Sequence, residues 1–251
     1  MLVFFSVLYN PRKNALDNIS SAKRNGYIPV VYVNEVNADI IDELRDMEVV
    51  ILGDNQNVGL GKAFKAFEVW ADKNGVRKFI YFDQDTKVFE STWEVLDSLS
   101  DEAFMDRHVG LVFFSPNKLQ RSSLVISSGC VFLIDTLRKI GLHDDSFFVE
   151  GVDYEFCLRL HHLKYRIHTV YTPGIDHDSL QDGNSGQLLG RKISYRCYGS
   201  KRWGDFNRAH FRLIKRSVKY KEPYFTFFFA KSFVVFNLKE FYSQFWRVVF
   251  S

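Results

Sequence analysis

Short apolar runs alternate, over the first third of the chain, with segments of helical composition. The apolar runs that predict strands are Leu2–Tyr9, Ile28–Asn34, Val49–Leu52 and Phe79–Asp83. The segments that predict helices are Leu16–Asn25, Ala38–Asp46 and Lys62–Asn74. Strands and helices that alternate in this order form β-α-β units, in which a mostly parallel sheet is flanked by helices. The pattern therefore predicts an α/β fold of the Rossmann-like kind.

The pattern continues less regularly through the middle of the chain. The further predicted elements are a helix at Thr92–Leu99 and strands at Val109–Ser115, Gly129–Ile134 and Ile167–Tyr171. The apolar residues that recur at the spacing of one helical face are Val152, Phe156, Leu160 and Leu163. They predict another helix that begins near residue 152. We place the α/β domain at residues 1–190 and a basic, aromatic-rich helical region at 191–251.

The run Phe79–Asp83 ends in two carboxylates, because Asp83 and Asp85 stand one residue apart. Side chains alternate along an extended segment, so both carboxylates point to the same side and can meet one hard cation. A nucleoside diphosphate suits such a cation. A polar turn after a strand is the alternative interpretation, and the residue pattern alone leaves both open.

A glycine-bearing loop at residues 54–61 leads into the helix Lys62–Asn74. Backbone amides and the positive dipole at a helix start attract phosphates, and Lys62 adds a positive charge there. The spacing of Gly59 and Gly61 is not that of a P-loop, so a plain helix-start turn remains the alternative.

Acidic residues cluster where the helix near residue 152 begins. Asp153 heads its polar face, while Glu155 and Arg159 are spaced to form an intrahelical ion pair. Asp153 can also do no more than complement the helix dipole. Downstream, Thr172–Asp178 reads as a turn that contains His177. A histidine in a loop is commonly a surface residue, but its imidazole can join carboxylates on a metal such as manganese.

Composition narrows the class of protein. The 251 residues are 46% apolar and include 25 Phe, which excludes a disordered polymer. The three cysteines are widely spaced and form no Cys-x-x-Cys pair, so they predict neither a disulfide framework nor a zinc site and fit a reducing cytosol. Leu2–Tyr9 has no basic segment before it and no cleavage site, so we expect a first strand and not a signal peptide.

Charge and aromatic residues set the last sixty residues apart. Residues 191–251 hold 14 Lys and Arg against 3 Asp and Glu, and the basic residues Arg208, Arg212 and Lys219 recur at helical spacing. Twelve of the 28 residues of Tyr224–Ser251 are aromatic. We expect this segment to lie on an anionic membrane surface without crossing it. The alternatives are packing on the α/β domain or on a second subunit in a homodimer. A nucleic-acid partner ranks last, because no recognition motif is present.

Taken in order, these segments resemble the inverting glycosyltransferases of family two. Within that family they are most similar to the rhamnosyltransferase-like members that build bacterial surface polysaccharides such as the O antigen of lipopolysaccharide. The segments that carry the resemblance, within residues 2–215, are Leu8–Pro11, Asn57–Leu60, Phe82–Asp85, Ser128–Gly129, Phe148–Arg159 and His177.

The resemblance implies a GT-A type domain that moves rhamnose or a similar hexose from a nucleotide-diphosphate sugar to a growing, lipid-linked glycan at the inner face of the plasma membrane. It implies that Asp85, His177 and Asp83 hold Mn²⁺ or Mg²⁺, and that Asp153 is the general base. The implied nucleotide-sugar contacts are Tyr9, Asn34, Asn57, Gly59, Lys62, Asp83, Gln84 and Gly129. The implied acceptor contacts are Glu150, Glu155 and Arg159.

The chain departs from the family pattern at three places. Asn34 lies where an Asp-Asn-x-Ser stretch is usual, Lys65 near a position that tends to be asparagine, and Asp178 where a glycine follows the histidine. These departures bear on the donor more than on the type of reaction. Two competing hypotheses are a catalytically silent scaffold of a membrane-bound polysaccharide-assembly complex and a glycoside hydrolase that uses two carboxylates.

Overall fold

A computed structural model of the chain describes the backbone of residues 2–11, 14–117, 123–177, 184–188, 191–195 and 200–250. The chain divides into two compact units, Met1–Asp178 and Ser179–Ser251.

The first unit alternates strands and helices in the order that the apolar pattern predicts. Its strands are β1 (Leu2–Leu8), β2 (Ile28–Val33), β3 (Val50–Leu52), β4 (Lys78–Tyr81), β5 (Thr86–Val88), β6 (Val109–Ser115), β7 (Cys130–Leu133), β8 (Arg166–Tyr171) and β9 (Ile175–His177). Its helices are α1 (Asn14–Arg24), α2 (Ala38–Asp46), α3 (Leu60–Lys73), α4 (Glu90–Phe104), α5 (Ile134–Ile140) and α6 (Val152–His162).

Seven of these strands form one sheet, in the order β3-β2-β1-β4-β7-β6-β8. Neighbouring strands run parallel except at β7, which pairs antiparallel with both β4 and β6. Every residue of β1 is buried. This is expected of a central strand covered by helices on both faces. The predicted mostly parallel α/β sheet is confirmed, with one antiparallel strand that the sequence did not indicate.

Aromatic side chains fill the core on both faces of the sheet. On one face, Phe5 of β1 stacks on Phe67 of α3 with ring centroids 3.9 Å apart. On the other, Phe4 meets Trp93 of α4 edge to face at 5.3 Å. Alternate residues of β1 thus pack against helices on opposite sides. This packing fixes the position of the strand ends, and so of the loops that follow them, relative to the flanking helices.

A buried lysine stands at the start of β4. Lys78 is 0% exposed, and its Nζ lies 2.7 Å from Asp97 Oδ1 and 2.8 Å from Asp101 Oδ1 of α4. The same Nζ donates to the Asp97 carbonyl and to Ser100 Oγ, each at 2.9 Å. Buried charges persist when they are paired and hydrogen-bonded in this way.

Several elements differ from the sequence prediction. The segment expected to be a turn at Thr172–Asp178 contains strand β9, which pairs with β5. Ile134, expected to end a strand, begins helix α5. Leu163, expected on the buried face of the helix now seen as α6, is 45% exposed, because the helix ends at His162 and Leu163 caps it.

The second unit holds a two-stranded antiparallel sheet, β10 (Asn184–Leu188) with β11 (Arg191–Tyr195), and two helices, α7 (Ser200–Lys219) and α8 (Pro223–Phe250). The helices pack as a hairpin. Phe206 stacks on Phe236 with centroids 3.6 Å apart, and Trp203 Nε1 donates to Asn237 Oδ1 at 2.9 Å. Among the described residues, no helix has both the length and the apolar composition needed to cross a bilayer.

Candidate active site

The two predicted carboxylates follow directly on β4, as expected. The Asp83 backbone amide donates to Ser128 Oγ at 3.0 Å, and the Tyr81 hydroxyl donates to Asp83 Oδ1 at 2.6 Å. Thr86 Oγ1 and Ser128 Oγ are 2.7 Å apart, so the turn after β4 is fastened at both ends to the segment before β7. These bonds hold Asp83 and Asp85 at the edge of the sheet where strands β1, β2 and β4 end.

The environment of Asp83 favours its neutral form. The residue is half-buried, and loss of hydration raises the pKa of its carboxyl to about 7. The Tyr81 hydrogen bond lowers that pKa, while the negative charges of Asp153 and Asp85 raise it. The charges of Asp153 and Asp85 therefore both act on the Asp83 carboxyl.

Gln84, between the two aspartates, is tied to the loop after β1. Its Nε2 donates to the Tyr9 carbonyl at 2.9 Å, and its Oε1 accepts from the Tyr9 amide at 2.8 Å. The Gln84 side chain therefore joins two strand-end loops in the manner of a backbone pair. The Tyr9 side chain is 45% exposed beside this joint. Contact of either side chain with a nucleotide sugar stays a prediction.

Three consecutive residues before β7 connect β4 to α6. Ser127 Oγ donates to Asp153 Oδ1, and Ser128 holds the Asp83 amide. Gly129 accepts from the Phe114 amide and donates to the Tyr81 carbonyl, each at 2.8 Å. Its φ is +89°, and an added Cβ would lie 2.6 Å from the Phe114 oxygen, so this position requires glycine. The sequence analysis singled out Ser128–Gly129, but it gave a role only to Gly129.

Asp153 lies in the first turn of α6, as predicted, and is half-buried. Desolvation raises the pKa of its carboxyl. The Ser127 hydrogen bond and the charge of His143 act in the opposite direction, and Glu150 adds to the rise. The helix N-terminus favours a negative charge at this place. Asp153 is thus a carboxylate held in one orientation, with one oxygen bound to Ser127.

The pairing of strands β5 and β9 places the backbone of the predicted histidine beside the turn that follows β4. In the register of the pair, His177 stands opposite Thr86, the residue that follows Asp85. The His177 side chain and Asp178 lie outside the described residues. Among the residues that are described, no group of three His, Cys, Asp or Glu side chains is placed to hold a metal ion. The carboxylate oxygens of Asp83 and Asp85 are the type of donor that Mn²⁺ and Mg²⁺ prefer.

The loop before α3 is held by asparagines. Asn34, 4% exposed, accepts from the Val58 amide at 2.7 Å through Oδ1, and its Nδ2 donates to Asn57 Oδ1 at 3.2 Å. Asn55 makes two hydrogen bonds to the backbone of Val36. Asn34, predicted to contact the nucleotide, thus has its side chain engaged within the protein, while Asn57 is exposed.

The glycines of that loop allow a close approach of the segment before α6. The Phe148 carbonyl accepts from the Leu60 amide at 2.5 Å and from the Gly61 amide at 3.4 Å. Cβ atoms added at Gly59 and Gly61 would lie 2.5 Å from Phe148 Cδ2 and 2.3 Å from the Phe147 oxygen. These contacts agree with the plain helix-start interpretation, since a protein carbonyl occupies the first amides of α3. Phosphate binding by Gly59 and the exposed Lys62 stays a prediction.

Glu155 and Arg159, predicted to contact the acceptor, form the intrahelical ion pair that their spacing also predicts. Glu155 is 1% exposed, and its two oxygens accept from Arg159 Nε and Nη2 at 2.9 Å each. Arg159 Nη1 also donates to the carbonyls of Ile140 and Gly141. The pair ties α6 to the end of α5, and contact of either side chain with an acceptor stays a prediction. The charge of Glu150 raises the pKa of the Asp153 carboxyl, and its contact with an acceptor stays a prediction.

A buried Glu and His pair beside this site was not predicted. His143 Nδ1 contacts Glu68 Oε1, and the His143 amide donates to Glu68 Oε2 at 2.8 Å. The imidazole lies between the rings of Phe64 and Phe156, at centroid distances of 4.3 and 4.5 Å. The pair fastens the loop before α6 to α3. The signal available in the sequence was Glu68, a carboxylate on the otherwise apolar face of α3.

Comparisons with known proteins agree with this architecture. No family model matches the chain. Over 192 residues the chain is 27% identical to the dTDP-rhamnosyl transferase RfbF of Shigella flexneri. The matched region covers 65% of this chain and 64% of that protein. The chain therefore spans less than two thirds of the length of this relative.

Two crystal structures of TarS from S. aureus share the fold. The longer superimposes with a TM-score of 0.52 at 11% identity, over 85% of this chain and 39% of TarS. The 1–349 form gives 0.52 at 12% identity, over 85% of this chain and 65% of that one. At such identity the likeness concerns the fold alone. The predicted GT-A type α/β fold and the resemblance to rhamnosyltransferase-like glycosyltransferases are both confirmed.

Proposed function

We propose that this chain is an inverting glycosyltransferase that moves a rhamnosyl group from a nucleotide-diphosphate donor, of the dTDP-rhamnose type, to a hydroxyl of a growing, lipid-linked bacterial glycan. One observation carries the proposal. Asp83, in the turn after β4, and Asp153, at the start of α6, are joined at the ends of the strands through the consecutive residues Ser127 and Ser128. Ligands of open α/β sheets bind at that edge. The similarity to a dTDP-rhamnosyl transferase supports the donor class.

In the proposed reaction, the acceptor oxygen bonds to the anomeric carbon while the bond from that carbon to the diphosphate breaks. Asp153 accepts the proton of the acceptor hydroxyl late in the transition state. The Ser127 hydrogen bond leaves one Asp153 oxygen to do so and fixes its direction. Attack opposite the leaving group inverts the anomeric configuration.

The remaining residues orient the donor. Asp83 and Asp85, with His177 as the third donor, would hold Mn²⁺ or Mg²⁺, which supplies Lewis-acid stabilisation of the departing diphosphate. The bonds of Asp83 to Tyr81 and Ser128, and of Gln84 to Tyr9, keep the carboxylates in place before the donor binds. Such preorganisation is where electrostatic catalysis gains most.

The test is turnover with a panel of nucleotide sugars and a polyprenyl-linked acceptor, measured as release of nucleoside diphosphate. Asp153→Asn keeps the shape and removes the basic oxygen, so we expect turnover to fall about 10²-fold or more with donor affinity nearly unchanged. Asp145→Asn is the matched control, because Asp145 is on the adjoining loop and its carboxylate pairs with Lys65. It should retain turnover.

Three outcomes oppose the proposal. Equal turnover of the Asp153 variant and the wild type would remove the general-base assignment. Absence of turnover with every donor would favour a scaffold, and activity without any nucleotide donor would favour a hydrolase.

A further inference from the structure

Helix α8 has two apolar faces, and only one of them packs against α7. On the inner face, Phe225 and Phe229 are 1% and 0% exposed. The opposite face carries large apolar side chains at alternating spacings of three and four residues. We call this face the outer stripe, and its members are Tyr224, Phe227, Lys231, Val234, Leu238 and Phe241.

The outer stripe is open to solvent. Exposure of its apolar members ranges from 53% at Val234 to 72% at Phe241, so no described part of the second unit covers them. The stripe runs along α8 for 18 residues, about 27 Å of helix. Contiguous apolar surface of this kind on a soluble domain marks a contact with a partner or a membrane.

The stripe has a charge at its centre, which bears on what covers it. Lys231 lies between Phe227 and Val234 and is exposed. In a seam between two protein helices its ammonium would be buried without a carboxylate in the stripe to pair with, at a high desolvation cost. At a bilayer interface the same side chain extends its methylenes along apolar surface and keeps its ammonium among the headgroups.

The charge of the helical hairpin points the same way. Residues 200–242 contain ten Lys and Arg against three Asp and Glu, a net charge of +7. Two copies brought together at this hairpin repel each other, whereas an anionic lipid surface attracts it.

Lys215 of α7 contributes less to membrane attraction than Lys231 does. Lys215 lies about 200° around α7 from Leu213, which is buried against the hairpin interior. Lys215 therefore faces away from α8 and its outer stripe and acts on a bilayer only at long range, where salt screens it.

We propose that the outer stripe of α8 is a docking surface for an anionic lipid bilayer, on which α8 lies along the interface with its apolar side chains below the headgroups and Lys231 level with them. This inference goes beyond glycosyl transfer and stands without it.

The experiment is sedimentation of the full chain with vesicles of phosphatidylglycerol and phosphatidylcholine, and with vesicles of phosphatidylcholine alone. We expect binding to the anionic vesicles, weakened by high salt. Leu238→Asp should lower the partition coefficient about tenfold or more. Its matched control is Leu163→Asp, the same change at an exposed leucine outside the hairpin, which should bind like the wild type.

A second matched pair tests the geometry of the charges. Lys231→Glu should weaken binding about tenfold or more, because a basic side chain next to an anionic surface is attracted to it and an acidic one is repelled. Lys215→Glu should weaken binding less, because Lys215 lies farther from that surface. Failure of the wild type to bind anionic vesicles at low salt overturns the proposal, as does unchanged binding of Leu238→Asp. A lipid-free dimer that Leu238→Asp dissociates would assign the stripe to a second copy and also overturn it.

Discussion

Gly61 and Gly204 provide a sharp test of the packing between α3 and the loop before α6. Both glycines lie within helices, where alanine is favoured over glycine by up to about 1 kcal/mol. Helix propensity alone therefore predicts that Gly61→Ala and Gly204→Ala both stabilise their helices. The structure predicts opposite signs.

A Cβ at Gly61 would lie 2.3 Å from the Phe147 carbonyl oxygen and 2.7 Å from that of Asp144. Ordinary contacts begin near 3.4 Å, so two backbone segments must move apart. Overpacking of this kind costs about 1–3 kcal/mol, which exceeds the gain in propensity. At Gly204 the nearest atom is Arg208 Nη1 at 3.7 Å, and nothing opposes the gain.

Amide hydrogen exchange measures both helices in the same sample. In Gly61→Ala the amides of α3 should exchange about 5- to 30-fold faster, which corresponds to 1–2 kcal/mol. In Gly204→Ala the amides of α7 should exchange more slowly. Slower exchange in α3 of Gly61→Ala would refute the close approach of the 144–148 loop. Because that loop leads to Asp153, turnover of the variant should also fall.

Three further predictions concern the metal, the strand-end loops and pH. Asp85→Ala should abolish transfer and lower Mn²⁺ affinity while leaving the fold intact, and full activity of the wild type in excess chelator would contradict this. Gln84→Leu, which keeps size but loses both hydrogen bonds to Tyr9, should raise KM for the donor without unfolding the protein; unchanged KM would leave that joint without a role. Burial lowers the pKa of His210 to about 4, so the unfolded chain takes up a proton first as pH falls from 6.5. Stability of the helical hairpin should therefore drop between pH 6.5 and about 4 by up to about 1.4 kcal/mol per pH unit, and His210→Gln should flatten that slope in acid titrations followed by circular dichroism.

The sequence predicted what depends on local periodicity. Ala38–Asp46 has the predicted bounds, and β1 differs from its prediction by one residue, because each is a clear run of one period. The placement of Asp83, Asp85 and Asp153 at element ends followed from the same runs.

Long-range pairing escaped prediction. An apolar run does not encode the direction of its partner, so Gly129–Ile134 predicted a strand but not its antiparallel pairing. The Thr-Pro-Gly signal before β9 is typical of a turn, and only its pairing with β5, far away in sequence, makes it a strand. The roles of Ser127 and Ser128 were not predicted for a similar reason, since a serine has no distinctive pattern until its partner is known.

The charges at the two ends of β4 bear on how the chain avoids misfolding. Lys78 sits among carboxylates at one end, and Asp83 is fastened five residues later, about 17 Å away. A shift of β4 by one residue would place an ammonium and a carboxylate in the aromatic interior without their partners. One unpaired buried charge costs roughly 3–5 kcal/mol. A misfolded state with β4 in the wrong register would therefore be unstable and would not accumulate. The buried Lys78 at one end of β4 therefore helps to set the register that positions the carboxylates at the other end.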